Sequence, residues 1–355
     1  MKTVNHKCPN CDANLNYNPK NKNWVCDYCG SKFTLDELKA NEANYKSTSV
    51  AKSEELKKDN SNKKQQEIDE YICEDCGAKI IADKNTSATF CVYCKNTAIL
   101  KGRLTDKFEP TKIIPFTKVK QDAIDAFKKV GKGKFLMPKD FSDSKNIQEL
   151  TGIYIPFWLY SCKGNGHFSG KGKRVTTWTT SDYIYTKTDT YDVVRDGEYE
   201  FSLIPVDGSI RFNDAIMNSI EPFNYDELID FNYSYLSGFL AEKYDIEKDE
   251  AKKITIDRAQ NTAVDDLREN AAISFQSVIP ETNTFTTNEE NIEYVLLPVW
   301  MVNIKYKDKM YTFAMNGQTG KMIGDIPYST GKACIYFIVL FLIIFAVFAL
   351  IFYFI

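Results

Sequence analysis

Histidine is almost absent: 355 residues contain two, His6 and His167. That scarcity excludes paired-histidine metal motifs and leaves little material for a general base. A Gly-x-Ser-x-Gly elbow and a kinase signature set are missing as well. The glycine-rich stretch Gly164-Asn165-Gly166-His167-Phe168-Ser169-Gly170 has the wrong spacing for a dinucleotide turn, and Gly170-Lys171-Gly172-Lys173 is not a phosphate loop. With no nucleophile, base and stabiliser grouped together, the chain is expected not to be an enzyme. A basic surplus is also lacking. The 45 Lys and Arg are set against 48 Asp and Glu, for a net charge of -3, which disfavours broad affinity for nucleic-acid backbones. No apolar leader precedes the first cysteines, so the thiols are expected to face a reducing compartment.

What the chain does have is cysteine in a repeated pattern. Cys8 and Cys11 precede Cys26 and Cys29, and Cys73 and Cys76 precede Cys91 and Cys94. In both cassettes two residues separate the members of a pair and fourteen separate the pairs. A Cys-x-x-Cys turn aims two thiolates at one point, and two such turns complete the tetrahedral sulfur shell that zinc favours. Each cassette therefore reads as a zinc ribbon, giving two structural Zn2+ ions. Iron in a rubredoxin-like site is the alternative, and Cys8-Pro9-Asn10-Cys11 would suit it. A closed shell of four cysteines leaves no open position for hydrolysis. His6 lies beside the first knuckle and could in principle replace a ligand, but four cysteines already complete the shell. Cys162 and Cys334 remain outside the cassettes and read as a core and a membrane residue.

The expected architecture is a multidomain α+β chain. Residues 1–34 form the first ribbon, with Trp24 and Phe33 as its apolar base and five lysines against two aspartates. Residues 35–69 carry eight acidic and seven basic side chains and few apolar ones, the composition of a flexible polar linker that would free the first ribbon. Residues 70–104 form the second, nearly neutral ribbon, expected to pack near a larger domain. That domain, 105–330, reads as a mixed antiparallel sheet with helices. Val119, Ala123, Phe127 and Val130 mark a helix with Thr117 as its cap and Gly131 as its stop, and Ile256, Ala259, Ala263 and Leu267 mark a longer one from about Lys248 to Ala272. The period changes to two from Gly152, and Gly164-Asn165-Gly166 is read as the turn into a meander of short strands. Leu297-Pro298-Val299-Trp300 repeats Ile155-Pro156-Phe157-Trp158, which suggests an internal duplication. The later hairpin turns at Lys307-Asp308.

The last 22 residues, Cys334 to Ile355, contain no charge. At about 1.5 Å per residue they span about 33 Å as a helix, enough for a bilayer core. Tyr336 and Tyr353 sit where interfacial aromatics belong. The expectation is a tail anchor in the cell membrane, single-pass, with the soluble region cytoplasmic.

The ribbon cysteines, Ile114-Pro115-Phe116, the segment Gly152 to Tyr160, Tyr235-Leu236-Ser237-Gly238-Phe239, and Leu297 through Gly320 together resemble a family of bacterial, mainly Gram-positive, membrane-anchored proteins with transcription-factor-IIB-type zinc ribbons. The resemblance covers most of the chain. It implies an accessory protein similar to one that works with a flotillin-like SPFH protein and a phage-shock-protein-A-type protein in envelope stress. Two functional readings follow. One is a membrane-anchored adaptor whose ribbons recruit protein partners. The other is a tethered nucleic-acid binder using Lys2, Lys7, Lys20, Lys22 and Lys32 with Trp24 or Tyr28 as a stacking platform.

Overall fold

The computed structural model describes residues 3–4, 7–46, 68–72, 79–83, 86–90, 97–100 and 109–354. After β1 (Thr3–Val4), a small antiparallel sheet is built from β2 (Leu15–Asn18), β3 (Asn23–Cys26) and β4 (Lys32–Phe33). Helix α1 (Leu35–Lys46) follows at once. The Thr34 amide donates to the Glu37 carboxylate and the Glu37 amide returns to the Thr34 hydroxyl, a reciprocal cap. Leu38 on this helix is buried. The polar stretch from residue 35 thus opens as a capped helix, because the Thr-x-x-Glu start and one apolar anchor outweigh its composition. Its continuation to residue 67 lies outside the described residues.

Strands β5 (Ile68–Ile72) and β6 (Lys79–Asp83) pair, as do β7 (Thr86–Phe90) and β8 (Thr97–Leu100). The larger domain then runs β9 (Lys112–Ile113), α2 (Lys120–Lys129), β10 (Ile147–Thr179), β11 (Ile184–Asp207), α3 (Asp214–Ile220), β12 (Ile229–Asp230), β13 (Leu240–Glu242), α4 (Lys248–Ala272), β14 (Ser277–Tyr306), β15 (Lys309–Asn316) and β16 (Met322–Gly324). Helix α5 (Thr330–Phe354) ends the chain. One mixed sheet holds β1, β8, β7, β13, β10, β14, β15 and β16 in that order, with β11 beside β10 and β9 beside β14. Helix α2 starts at Val119, whose amide donates to Asp122, rather than at Thr117, whose hydroxyl is taken by the Gln318 carbonyl.

Strand β10 passes through Gly164-Asn165-Gly166 without turning, and the chain reverses only where the Thr180 amide meets the Tyr183 carbonyl. The glycines belong to a strand for a packing reason. Positions 162, 164, 166, 168, 170 and 172 all lie buried on one face of β10. A Cβ on Gly164 would stand 2.6 Å from the Thr286 carbonyl oxygen, and one on Gly166 would stand 3.1 Å from Leu267 of α4. Helix α4 packs along β10, β11 and β14 and buries Ala251, Thr255, Ala259, Ala263, Leu267 and Ala271, a stripe at steps of four. Gly164→Val is expected to lower stability by about 1–3 kcal/mol in chemical denaturation, because its Cβ meets the Thr286 carbonyl oxygen as well as the Phe285 ring, and the backbone oxygen cannot swing away.

The two Pro-x-Trp segments are neighbours. Ile155 pairs with Leu297, Tyr154 with Pro298 and Pro156 with Leu296, so the segments run antiparallel around a local two-fold. Hydrogen bonds recur about it. Trp158 Nε1 donates to the Ile246 carbonyl just before α4, and Trp300 Nε1 to the Lys118 carbonyl just before α2, each at 2.9 Å. The Gly208 amide meets Pro156 O at 2.9 Å and the Gly317 amide meets Pro298 O at 2.8 Å.

At the turns, Asp207 and Asn316 take equivalent places, accepting from the amides of Ser209 and Gln318. Asn316 Nδ2 also donates to the Ile220 carbonyl, whereas Asp207 Oδ2 is buried with no partner among the described residues. Burial first, then the neighbouring carboxylates of Asp214, Asp245 and Glu242, push Asp207 up to about 7. A carboxyl whose folded value lies above its unfolded one contributes stability at low pH that is lost as pH rises from about 4 through about 7. Asp207→Asn should flatten that loss in denaturation midpoints measured across this range, with Glu221, also raised to about 7 by burial, keeping part of the slope.

Candidate metal centre

Two turns of the same build face each other in the first module. In Cys8-Pro9-Asn10-Cys11, the Cys8 amide donates to Ala13 O at 2.7 Å and the Asp12 amide returns to Cys8 O at 2.9 Å. In Cys26-Asp27-Tyr28-Cys29, the Cys26 amide donates to Ser31 O at 2.9 Å and the Gly30 amide returns to Cys26 O at 2.8 Å. The residue after each pair closes its turn with a positive φ, 60° at Asp12 and 73° at Gly30. Glycine adopts that conformation freely, and aspartate is among the few side chains that tolerate it.

These turns bring the sulfurs of Cys8, Cys11, Cys26 and Cys29 within 4.8 Å of one another. Cys8 and Cys29 are 3.6 Å apart and Cys11 and Cys26 3.5 Å. A tetrahedral metal with sulfur at about 2.3 Å has sulfur–sulfur edges of about 3.8 Å, so the donor set fits a metal ion. Burial pushes the Cys8 thiol up, while the Ser31 hydroxyl, 3.1 Å from Cys29 Sγ, pulls Cys29 down to about 6. The second cassette, Cys73, Cys76, Cys91 and Cys94, lies outside the described residues, as does His6.

The first module does not stand alone. Trp24 is 1% exposed, and its Nε1 donates to the Ser234 carbonyl at 2.7 Å. The Tyr17 amide donates to Ser237 O at 3.1 Å. Rings of Tyr17, Trp24 and Tyr235 form a triangle with centroids 5.0, 5.3 and 5.1 Å apart. The first module is therefore held against the larger domain, while residues 47–67 and the second cassette, from which it is expected to move independently, lie outside the described residues. A sheet of three short strands cannot cover two large aromatics, so they are buried against the Tyr233–Leu236 turn of the larger domain. The same burial removes Trp24 as a stacking platform, leaving Tyr28 exposed at 84% on the second knuckle. Tyr17, Ser234 and Tyr235 were not legible as one site. Their only signal is an aromatic surplus in both segments.

Elsewhere, Cys162 is buried between Tyr160 and Ala259, and His167 pairs across strands with Asp196 at 2.6 Å. Helix α5 is long and apolar enough to cross a membrane, and none of its residues over Thr330–Phe348 is buried.

No family model matches the chain, and no solved structure matches it. A Bacillus subtilis (strain 168) protein bearing the name "Uncharacterized protein YdjG" is 35% identical over 335 residues, 94% of this chain and 93% of that protein.

Proposed function

The chain belongs to the same family as the Bacillus subtilis protein YdjG, and from that premise we propose that it is a membrane-anchored adaptor that recruits cytoplasmic proteins to the membrane. In this reading α5 is a single-pass anchor in the cell membrane. The four clustered thiols hold a structural zinc ion, and the equal spacing of Cys73, Cys76, Cys91 and Cys94 supports a second. A site closed by four cysteines shapes a surface rather than activating water.

The observation that carries the reading is an aromatic patch at the end of the β10–β11 hairpin. Trp178 and Tyr185 stack there at 5.6 Å, with Tyr183 and Ile184 beside them, all exposed. Helix α5 begins at the opposite end of β10. Ile147, Tyr306 and Ile326 share a cluster with Met137, whose carbonyl accepts from Lys332 of α5. Fully extended, a 33-residue strand spans on the order of 100 Å, so the patch is displayed far from the helix. A contiguous exposed aromatic patch of this kind suits a protein interface. The resemblance to ribbon-bearing accessory proteins supplies the partner class, a flotillin-like SPFH protein or a phage-shock-protein-A-type protein in an envelope-stress complex.

A photo-crosslinking residue at position 183 of the full chain, expressed in its native membrane, tests this. Adducts with one of those two proteins, lost in the Trp178→Ala, Tyr185→Ala double variant, are expected. Adducts confined to nucleic acid, or protein adducts indifferent to that variant, would count against the adaptor.

A further inference from the structure

Between α2 and β10 the chain makes three successive turns, closed by the amides of Lys132, Lys134 and Met137 on the carbonyls of Lys129, Gly131 and Lys134. The loop is held from below, since Met137 and Phe141 are buried with Phe127 and Phe313. Yet its crest turns two large apolar side chains outward, Phe135 at 72% and Leu136 at 42% exposure. Lys128, Lys129, Lys132, Lys134 and Lys139 surround them, all exposed, and no acidic residue occurs from 126 to 139. Asp125, 3.7 Å from Lys128, offsets one of the five.

This crest is joined to the first turn of α5. The Ser329 amide donates to Leu136 O at 2.8 Å, Lys332 Nζ donates to Met137 O at 2.7 Å, and the Phe135 and Tyr336 rings are 6.2 Å apart. Lys128, Lys132, Lys134, Lys139 and Lys332 contribute to the lining of a cleft of about 370 Å³ at this junction. A lysine-rich loop is ordinarily just a solvated surface, and one exposed apolar side chain needs no explanation. Here two adjacent apolar side chains project from a well-anchored loop. They continue an apolar helix at the level where it leaves the folded domain.

We propose that this cleft binds the phosphate-bearing headgroup of an anionic phospholipid in the bilayer that α5 enters, with Phe135 and Leu136 seated at the boundary between headgroups and acyl chains. The inference rests on the reading of α5 as a membrane anchor. Basic side chains at such a surface each add to attraction for anionic lipid, and an exposed aromatic beside them adds apolar insertion. Phosphate chemistry alone would also suit free inorganic phosphate. The outward apolar crest favours the lipid.

Hydrogen exchange of the full chain in nanodiscs separates these sources. Discs of phosphatidylcholine alone are compared with discs that also contain phosphatidylglycerol, and phosphatidylcholine discs are repeated with added inorganic phosphate. Amides of α5 should be protected in every arm. Those of 131–137 should slow about tenfold or more only with phosphatidylglycerol. The Lys132→Glu, Lys134→Glu, Lys139→Glu variant should lose that slowing while β10 and β14 keep their protection. Equal exchange of 131–137 in both lipids, with α5 protected, overturns the proposal. Slowing by inorganic phosphate as large as that by phosphatidylglycerol also overturns it. Free exchange throughout α5 would instead remove the membrane reading itself.

Discussion

Cys26→Ser is expected to release the metal from the first module, unfold β2–β4 and detach them from the larger domain. Cys26 contributes one of the four clustered thiols and opens its turn, accepting from the Gly30 amide and donating to Ser31 O. Its sulfur lies 3.5 Å from Cys11 Sγ in the interior of the cluster. Sites of this donor set hold their metal with a free energy on the order of 10 kcal/mol, which for so small a module is its folding energy. Metal content measured on the purified full chain should fall by about one ion, and hydrogen exchange should rise across residues 7–33. The β10–β14 core should be unchanged, because none of its hydrogen bonds pass through the module. Retention of metal and protection in this variant would refute the site.

The second large effect separates docking from metal binding. Trp24→Ala removes the indole that fills the space against Tyr235 and breaks the 2.7 Å hydrogen bond to the Ser234 carbonyl. The expected cost is about 3–5 kcal/mol, that of truncating a buried tryptophan. Tyr235→Ala attacks the same contact from the other side without touching the module. Both variants should keep the metal, because the four sulfurs and their turn hydrogen bonds do not involve either ring. Both should also make the 16–24 segment sensitive to limited proteolysis in the full chain. If Tyr235→Ala left that segment as protected as before, the docked arrangement would be wrong.

The features legible in the sequence are those carried by spacing within one segment. The four cysteines of the first cassette, the stripe of α4, the turn at Lys307-Asp308 and the apolar run of α5 all depend on residues a few positions apart. The Lys307-Asp308 turn has positive φ at both residues, 47° and 61°, the conformation a two-residue hairpin needs. What was illegible depends on distant partners. Gly164 and Gly166 carry the local signature of a turn, and only the approach of Thr286 and Leu267 shows why they are strand glycines. Trp24 reads as the apolar base of its own module, with a stacking platform as the alternative, until Ser234, 210 residues away, is beside it. The repetition of Pro-x-Trp was visible, but its consequence was not. The pairing of Ile155 with Leu297 makes the two copies adjacent strands rather than separate hairpins.

The exposed knuckle of Tyr28 and the docked face of Tyr17 and Trp24 give the module two unlike sides. One is closed against the domain that carries α5, and the other is open. A metal held by the four thiols would, in the proposed adaptor, support that open side as a displayed surface. The measurement that bears on it most directly is metal-edge X-ray absorption on the full chain in detergent, collected for the wild type and for Cys26→Ser. A shell of four sulfurs at about 2.3 Å with no light atom is expected, reduced in amplitude per chain by the substitution. A shell containing nitrogen or oxygen, or a metal-free wild type whose module remains folded and docked, would contradict it.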